Sequence, residues 1–199
     1  MLYQIHRYPA ELIDVVRLKG RRLVIRPVLP QDEDLTSAFF GNLPAAARYD
    51  RFMSPIRSLP PELIKRFTNI DYTDHLALVA EVFEGGEEVV IAEARYARLA
   101  SAPTTAEFAV SVAERWQGNG LAKLLLAKLA CRAAESGIGR IVGETLATNA
   151  RMLRLARTAG FTVRRSPEVR GVMLLEKVLA EASPTMPCGA ADAREHAAI

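Results

Sequence analysis

A turn with the sequence Gln117-Gly118-Asn119-Gly120 joins an apolar, strand-like segment to a long helical pattern. Glycine lets the backbone come close to a ligand, and the first N–H groups of a helix have no partner within that helix. These N–H groups, together with the helix dipole, bind anions such as phosphate. The turn and the helix start at Leu121-Ala122-Lys123 therefore predict a site for a phosphate-containing compound.

Two carboxylates lie on strand-like segments near this turn. Glu107 belongs to the segment that leads into the turn, between the apolar residues Ala106 and Phe108, and Glu144 lies near the end of the next predicted strand. Carboxylates in such positions can act as general acids or bases. The alternatives are surface roles, as a solvent-facing strand residue for Glu107 and as an ion-pair partner of an arginine for Glu144.

Two common phosphate-binding motifs fit the turn poorly. The dinucleotide fingerprint G-x-G-x-x-G needs a third glycine where the sequence has Lys123, and the polar residues 114–117 separate the turn from its strand. The sequence also contains no G-x-x-x-x-G-K-[ST]. The Gly118-Asn119-Gly120 segment alone is thus weak evidence for any one nucleotide.

Hydrophobic patterning predicts the elements that position these residues. It predicts three helices between the first and second strands, a helix after the turn and a short helix from about Ala150. The predicted strands cover residues 22–26, 76–82, 89–98, 106–112, 140–146, 161–165 and 172–178. The domain is predicted to span residues 20–180, after a lead-in over residues 1–19 with a short helix at 11–16. A tail over 181–199 has little to bury and is predicted to be disordered.

The composition is that of one globular domain. The chain has 199 residues, of which 50% are hydrophobic, and a formal net charge of +3. No apolar run approaches the length of a membrane helix, and the N-terminus lacks a signal-peptide pattern, so we expect a cytoplasmic protein that does not bind membranes. Basic residues form no single block, which argues against nucleic acid, and the three histidines lack metal-ligand spacing, so no metal is expected.

The order Gln117-x-x-Gly120-x-Ala122 matches the Q/R-x-x-G-x-G/A motif of the GNAT superfamily of acetyltransferases. Residues 20–178 resemble the bacterial Pat-type protein lysine acetyltransferase domain. The segments that carry this resemblance are Ile25-Arg26-Pro27, Arg51-Phe52, Ile70-Asp71-Tyr72, Ala77-Leu78-Val79-Ala80, Ala106-Glu107-Phe108-Ala109-Val110, Gly143-Glu144-Thr145-Leu146 and Asn149-Ala150-Arg151-Met152-Leu153. The resemblance implies the GNAT fold, an α/β (α+β) architecture with a mixed, mostly antiparallel seven-stranded sheet that is splayed at its centre and has helices on both faces.

The resemblance also implies that the phosphate compound is acetyl-CoA. Its pyrophosphate would bind at residues 117–123, and its pantetheine arm would pair with the strand before the turn like an added strand. The N–H of Val112 would polarise the thioester carbonyl, and Asn149 would hydrogen-bond the arm, cap the following helix, or do both. The expected cofactor-binding residues are Val110, Ser111, Val112, Gln117, Gly118, Asn119, Gly120, Leu121, Ala122, Lys123 and Asn149.

The chemistry that follows from the resemblance is direct attack of an amine on the thioester in a ternary complex. A lysine amine has a pKa of about 10.4 and must lose a proton before it attacks. Glu107 matches the family's catalytic glutamate and is expected to be the base, and Glu144 would orient the amine or share that role. Many GNAT enzymes protonate the leaving thiolate with a tyrosine, but this chain has Phe161 there, so water is expected to supply the proton. Arg51 is interpreted as a packing residue.

The expected acceptor is a protein with an exposed lysine, with acyl-CoA synthetases as the substrate class that the resemblance suggests. A small-molecule amine acetyltransferase would have the same fold, and a catalytically silent acetyl-CoA-sensing module is a third alternative. The lead-in Tyr8-Pro9-Ala10-Glu11-Leu12 resembles the linker that follows a regulatory acyl-CoA-synthetase-like domain in larger relatives. That domain is not in this sequence, so its mode of control is not carried over, and a monomer or a homodimer is expected.

Overall fold

The computed structural model describes residues 7–179, which form one open sheet of eight strands with five α-helices. The strands are β1 (Asp14–Leu18), β2 (Arg21–Pro27), β3 (His75–Glu84), β4 (Glu87–Leu99), β5 (Ala102–Val112), β6 (Arg140–Leu146), β7 (Thr162–Arg165) and β8 (Val172–Val178). The helices are α1 (Glu33–Asn42), α2 (Ala45–Phe52), α3 (Pro61–Thr68), α4 (Leu121–Glu135) and α5 (Ala150–Thr158). The predicted tail, residues 181–199, lies outside the described residues.

The sheet has the strand order β1-β2-β3-β4-β5-β6-β8-β7. All neighbouring strands are antiparallel except β5 and β6, which run parallel because α4 connects them. Parallel neighbours need such a crossover, whereas antiparallel neighbours can be joined by tight turns. The mixed, mostly antiparallel sheet expected from the sequence is therefore confirmed.

The expected number of seven strands is wrong by one, because residues of the predicted lead-in form β1. This strand pairs with β2 from Asp14 opposite Ile25 to Leu18 opposite Arg21. The hairpin between them turns at Lys19 and Gly20, whose φ angles are 51° and 72°. Lysine rarely adopts a positive φ, so the turn has only a weak sequence signal. The predicted short helix over 11–16 is wrong as well, since only Ala10–Leu12 form a single 3₁₀ turn.

Helices cover both faces of the sheet, as expected. Successive residues of a strand point to opposite faces, so the contacts of Arg95 and Tyr96 on β4 show which helix packs on each face of the sheet. Arg95 donates a hydrogen bond to the carbonyl of Phe67 in α3, at 3.3 Å. The hydroxyl of Tyr96 lies 3.4 Å from that of Ser136, immediately after α4. The two faces are called the α3 face and the α4 face below.

The core holds α4 firmly against the α4 face. Leu125, Leu126 and Leu129 of this helix are each no more than 2% exposed, and Tyr96 of β4 is fully buried. Burial of such side chains stabilises the fold by about 1.5–3 kcal/mol each. The position of the helix N-terminus is thus set by packing along the rest of the helix. No helix of residues 7–179 has the length and apolar character required to cross a membrane.

Candidate active site

The sheet is splayed between β5 and β6. These strands pair only where Thr105, Ala106 and Glu107 lie opposite residues 140–142, although both strands continue further. At the point of separation, the ring of Phe108 lies against Gly143, where an added Cβ atom would come within 2.8 Å of it. Phe108 also packs on Phe161, with ring centroids 4.8 Å apart. The two aromatic rings thus hold the strands apart.

The edge of β5 that faces the gap has backbone groups that pair with no other strand, and of these the carbonyl of Val112 accepts from the side chain of Gln117. The N–H of Ala113 donates to the carbonyl of Ile91 at 2.8 Å, and the register places Ser111 opposite Glu93 and Val112 opposite Ala92. Because hydrogen-bonded residues alternate along an antiparallel pair, the backbone groups of Ser111 face β4. Those of Val110 and Val112 face the gap. An extended ligand can pair with this edge as an added strand, through Val110 and Val112 but not through the backbone of Ser111.

The glycine turn prepares the N-terminus of α4 for an anion. Gly118 and Gly120 have φ angles of 78° and 80°, and an added Cβ at either would meet no atom within 4 Å, so both face open space. The side chain of Asn119 holds the turn by donating to the carbonyls of Trp116 (3.2 Å) and Gln117 (2.7 Å). Within residues 7–179, the backbone N–H groups of residues 118–123 donate no hydrogen bond. The first turn of α4 also has no acidic residue.

Basic side chains surround this helix end. Lys123, Arg151 and Arg154 line the same cleft as the turn. Gln117 connects the elements, because its Nε2 donates to the carbonyl of Val112 at 2.9 Å and its Oε1 accepts from Arg151 of α5. No motif in the sequence marks Arg151 or Arg154 as binding residues, although their spacing of three residues on a predicted helix places them on one face. The arrangement can bind phosphate groups.

One cleft of about 820 Å³ brings most of the predicted cofactor-binding residues together. Its volume is within the usual range for small-molecule sites. It runs from α2, over the gap between β5 and β6, to α4 and α5. The predicted residues that line it are Val110, Ser111, Val112, Gln117, Gly118, Gly120, Leu121, Ala122, Lys123, Glu144 and Asn149. Asn119 and Glu107 do not line this main cleft, and Asn149 also caps α5 by accepting from the N–H of Met152 at 3.0 Å.

The two predicted catalytic carboxylates lie on the α3 face of the sheet. Glu107 is opposite Val142 in the short parallel pairing, so Glu107 and Glu144 project from the same side of neighbouring strands. Both side chains are exposed. Glu107 lines a second cavity of about 490 Å³, and Gly143 and Glu144 line both this second cavity and the main cleft. The carboxylates are thus close to the point where the strands separate, each at an open surface.

The α3 face also carries a buried charged cluster that the sequence analysis missed. Arg95 and Glu93 of β4 form a buried ion pair, and Arg95 stacks on Phe67 with its guanidinium carbon 3.6 Å from the ring centroid. The ring of His75 lies 3.3 Å from Arg95, and burial together with Arg95 lowers the pKa of His75 to about 4. Arg51 of α2 joins the cluster, and burial lowers its pKa, opposed by the charge of Glu93. These residues come from α2, α3, β3 and β4 and show no motif.

The sequence matches the model of the acetyltransferase (GNAT) family over residues 44–161. An acetyltransferase of Pseudomonas aeruginosa is 32% identical over 149 residues, which cover 75% of this chain and 80% of that protein. Acetyltransferase Pat of Mycolicibacterium smegmatis is 32% identical over 136 residues, which cover 68% of this chain but only 40% of Pat.

Solved structures agree with these matches. The GNAT domain of S. lividans PAT superimposes with a TM-score of 0.79 at 33% identity, and the match covers 87% of this chain and all of that domain. The protein yncA from Salmonella typhimurium, solved with its cofactor acetyl-CoA, has a TM-score of 0.64 at 21% identity, covering 83% of this chain and 99% of yncA. At this identity, the similarity to yncA is evidence for the fold only.

Proposed function

The chain belongs to the GNAT family of acetyltransferases, and from this premise we propose that it transfers the acetyl group of acetyl-CoA to the ε-amino group of lysine residues on proteins. The observation that carries the proposal is the alignment of two features in the main cleft. The free edge of β5 at Val110 and Val112 leads to the uncapped N-terminus of α4. The pantetheine arm of acetyl-CoA is an extended chain that can pair with a strand edge, and the pyrophosphate at its end can bind at a helix N-terminus.

The donor end of the cleft, residues 117–123 with Arg151, fits the phosphates of acetyl-CoA. The N–H groups of residues 118–123 are unpaired in the described structure, and the two glycines leave room above the backbone. Charge-assisted hydrogen bonds to such groups contribute about 1.5–3 kcal/mol each. Lys123 and Arg154 add positive charge at the same place. Acetyl-CoA, when bound, supplies an acetyl thioester that an amine can attack.

The gap-facing N–H groups of β5 are suited to polarise the thioester carbonyl. Val112 was selected for this role from the resemblance, and its carbonyl already accepts from Gln117. Its N–H faces the gap, as does that of Val110, which lies nearer to Glu107 along the strand. We therefore include both residues, with Val110 closer to the reacting carbon.

Glu107 is proposed as the base that takes the proton of the lysine amine, directly or through water, with Glu144 orienting that amine. Both are exposed on the α3 face at the edge of the gap, which suits an acceptor that approaches from solvent. Phe161 is buried between Phe108 and Lys177 and cannot donate a proton, so water is proposed to protonate the leaving thiolate.

A protein acceptor is favoured over a small amine because the carboxylates lie at an open surface, where a lysine on a protein can reach them. The resemblance to Pat-type enzymes supports acyl-CoA synthetases as the substrate class, and a cytoplasmic location is part of the proposal. Since the chain spans less than half of the length of Mycolicibacterium smegmatis Pat, that protein's own activity and control are not transferred.

The test is incubation of the purified protein with ¹⁴C-acetyl-CoA and three acceptor pools: a bacterial lysate, a purified acyl-CoA synthetase and a panel of small amines. We expect label on mapped lysines of the synthetase, and no label with the Glu107→Gln variant. Label on small amines alone would remove the protein acceptor. Binding of acetyl-CoA by calorimetry without transfer to any pool would instead favour a sensing module.

A further inference from the structure

Arg51 is a half-buried cation on the wall of the main cleft, and it has no polar partner among the described residues. Within residues 7–179 no hydrogen bond or ion pair reaches its guanidinium, and its Nε is buried and unpaired. Its contacts are aromatic, because its guanidinium carbon lies 5.0 Å from the ring centroid of Phe52 and 5.9 Å from that of Phe67. A buried N–H group without an acceptor costs free energy, so an arginine held in this way is unusual.

No carboxylate within residues 7–179 forms an ion pair with Arg51. Glu93 already forms its ion pair with Arg95, and His75 is neutral near pH 7 because its pKa is lowered to about 4. Glu107 acts on Arg51 through its charge, without a hydrogen bond or an ion pair. The second oxygen of Glu93 is also buried and unpaired, so it acts on Arg51 through its charge and not through a hydrogen bond.

Arg51 lies on α2, which contacts both β5 and β6 near the place where these strands separate. Arg51, Phe108 and Ala109 line the cleft together, and Ala109 lies opposite Arg95 in the sheet. Glu107 projects from the same face one position further along, since alternate residues share a face. The charge of Glu107 is among those that act on Arg51. The phosphate-binding turn lies at the other end of the cleft.

We propose that Arg51 is a catalytic residue that stabilises the negative charge formed on the thioester oxygen during acetyl transfer. This inference rests on the proposed function. The lysine ammonium first loses a proton to solvent. The neutral amine then forms the C–N bond while the π electron pair of the carbonyl moves to oxygen. That pair re-forms the C=O bond as the C–S bond breaks, a second amine proton passes to Glu107, and the thiolate leaves and takes a proton from water. An acetyl group carries no charge of its own, so negative charge on the acyl oxygen arises only in the reaction. A prepositioned cation with no ground-state partner suits that need.

The primary test compares Arg51→Met with Arg51→Lys. We expect kcat to fall about 10²–10³-fold in Arg51→Met, as when other oxyanion donors are removed, and to recover partly in Arg51→Lys. The dissociation constant of acetyl-CoA, measured by calorimetry, should stay within about threefold because Arg51 makes no ground-state ion pair. The Arg51→Lys variant also keeps the comparison usable if methionine prevents folding.

A second measurement does not depend on turnover. In the Glu107→Gln background, the carbonyl stretch of bound ¹³C-labelled acetyl-CoA, seen by difference infrared spectroscopy, should lie at lower frequency with Arg51 present than in the Arg51→Met double variant. A cation near the oxygen weakens the C=O bond, whereas a residue that only supports α2 would leave the band unchanged.

Arg48 of α2 provides the matched control. Its guanidinium donates to the backbone carbonyls of Gly41, Leu43 and Ile56 and does not line the cleft. Arg48→Met should lower the melting temperature but keep kcat within about twofold, since it removes packing without touching the reacting atoms. An equal loss of kcat in Arg48→Met and Arg51→Met, or an unshifted carbonyl band, would overturn the inference.

The preference among acyl groups shows whether Arg51 acts on the charge formed during the reaction or binds an acyl group that carries a permanent carboxylate. If the wild-type protein preferred succinyl-CoA to butyryl-CoA and Arg51→Met abolished that preference, Arg51 would be a binding site for an acyl carboxylate, and the inference would be wrong. Absence of transfer from any acyl-CoA would contradict the proposed function instead, and the infrared measurement would still decide the role of Arg51.

Discussion

The donor end of the cleft and the acceptor side, Glu107, Glu144 and Arg51, are built from different parts of the chain. The donor end uses backbone N–H groups of one continuous segment, residues 117–123, which the start of α4 orients. The acceptor side uses side chains from β5, β6 and α2 that meet only in the folded sheet. The first kind of site needs a local sequence, and the second needs correct packing of the whole domain.

This difference has a functional consequence. Backbone groups offer the same donors whatever the side chains are, so the donor end is suited to a ligand that does not vary. Side chains on separate elements can change independently, so the acceptor side can adapt to different amines. We therefore expect substitutions at the two places to affect different kinetic parameters.

The largest expected effect belongs to the acceptor side. Glu107→Gln should lower kcat about 10²–10³-fold, because a proton acceptor is removed while the shape of the residue is kept. The acetyl-CoA dissociation constant from calorimetry should not change. Glu144→Gln is the matched comparison on the same face, and a larger loss there than in Glu107→Gln would assign the base to Glu144.

The next effect belongs to the donor end. Gly120→Ala should weaken acetyl-CoA binding about 10–100-fold, because a residue other than glycine at a φ of 80° is strained by about 1–2 kcal/mol and its Cβ projects toward the ligand. Gly86→Ala is the control, since Gly86 has a φ of 93° in the β3–β4 turn and also meets no atom within 4 Å. Equal weakening in both variants would mean that backbone strain alone, and not the phosphate site, is responsible.

The charged cluster beside the acceptor side, which includes His75, should also make the free energy of unfolding depend on pH. His75 has a pKa of about 4 in the folded protein, against about 6.5 when unfolded, so the unfolded chain binds the proton first as pH falls. Its stabilising contribution is complete above pH 6.5 and is lost between about pH 6.5 and 4. Urea unfolding at pH 7 and pH 5 should show a loss of about 1–2 kcal/mol from this residue. The loss should shrink in His75→Gln, and an unchanged loss would show that other groups cause it.

The smallest expected effect concerns the hydrogen bond between Arg151 of α5 and Gln117 of the glycine turn. Arg151→Met removes the hydrogen bond to Gln117 and one charge near the phosphates, and should raise the acetyl-CoA dissociation constant about 3–10-fold at unchanged kcat. Arg157→Met, on the same helix but exposed and outside the cleft, should have no effect. A fall in kcat for Arg151→Met would contradict the separation of the two ends.

The sequence contains clearer local signals for the donor end than for the acceptor side, for a physical reason. Glycines at a strand–helix junction are local signals, and the turn at Gly118 and Gly120 has the backbone geometry that they require. Arg51, in contrast, lies in a helical pattern that does not distinguish a half-buried arginine from one on the surface. Its environment is set by Phe67 and Glu93, which adjoin it only through the packing of α2 and α3 on the sheet.

The fold shows the same contrast. The long apolar strands β3 to β6 and the amphipathic α4 were predicted from periodicity and are present. Strand β1 was missed because its turn uses Lys19 at a positive φ. The direction of the backbone groups of Ser111 could not be predicted, since it depends on the register with β4 and not on the residue itself.

The gap between β5 and β6 also makes the sheet incomplete in its interior. An unpaired strand edge is a cost that most proteins avoid, because it can pair with other chains. A ligand that pairs with Val110 and Val112 would cover this edge and so stabilise the folded state. At one hundred times its dissociation constant, such a ligand adds about 2.7 kcal/mol of stability. The supply of acetyl-CoA would then determine how long the protein persists against unfolding and proteolysis, in addition to how fast it works.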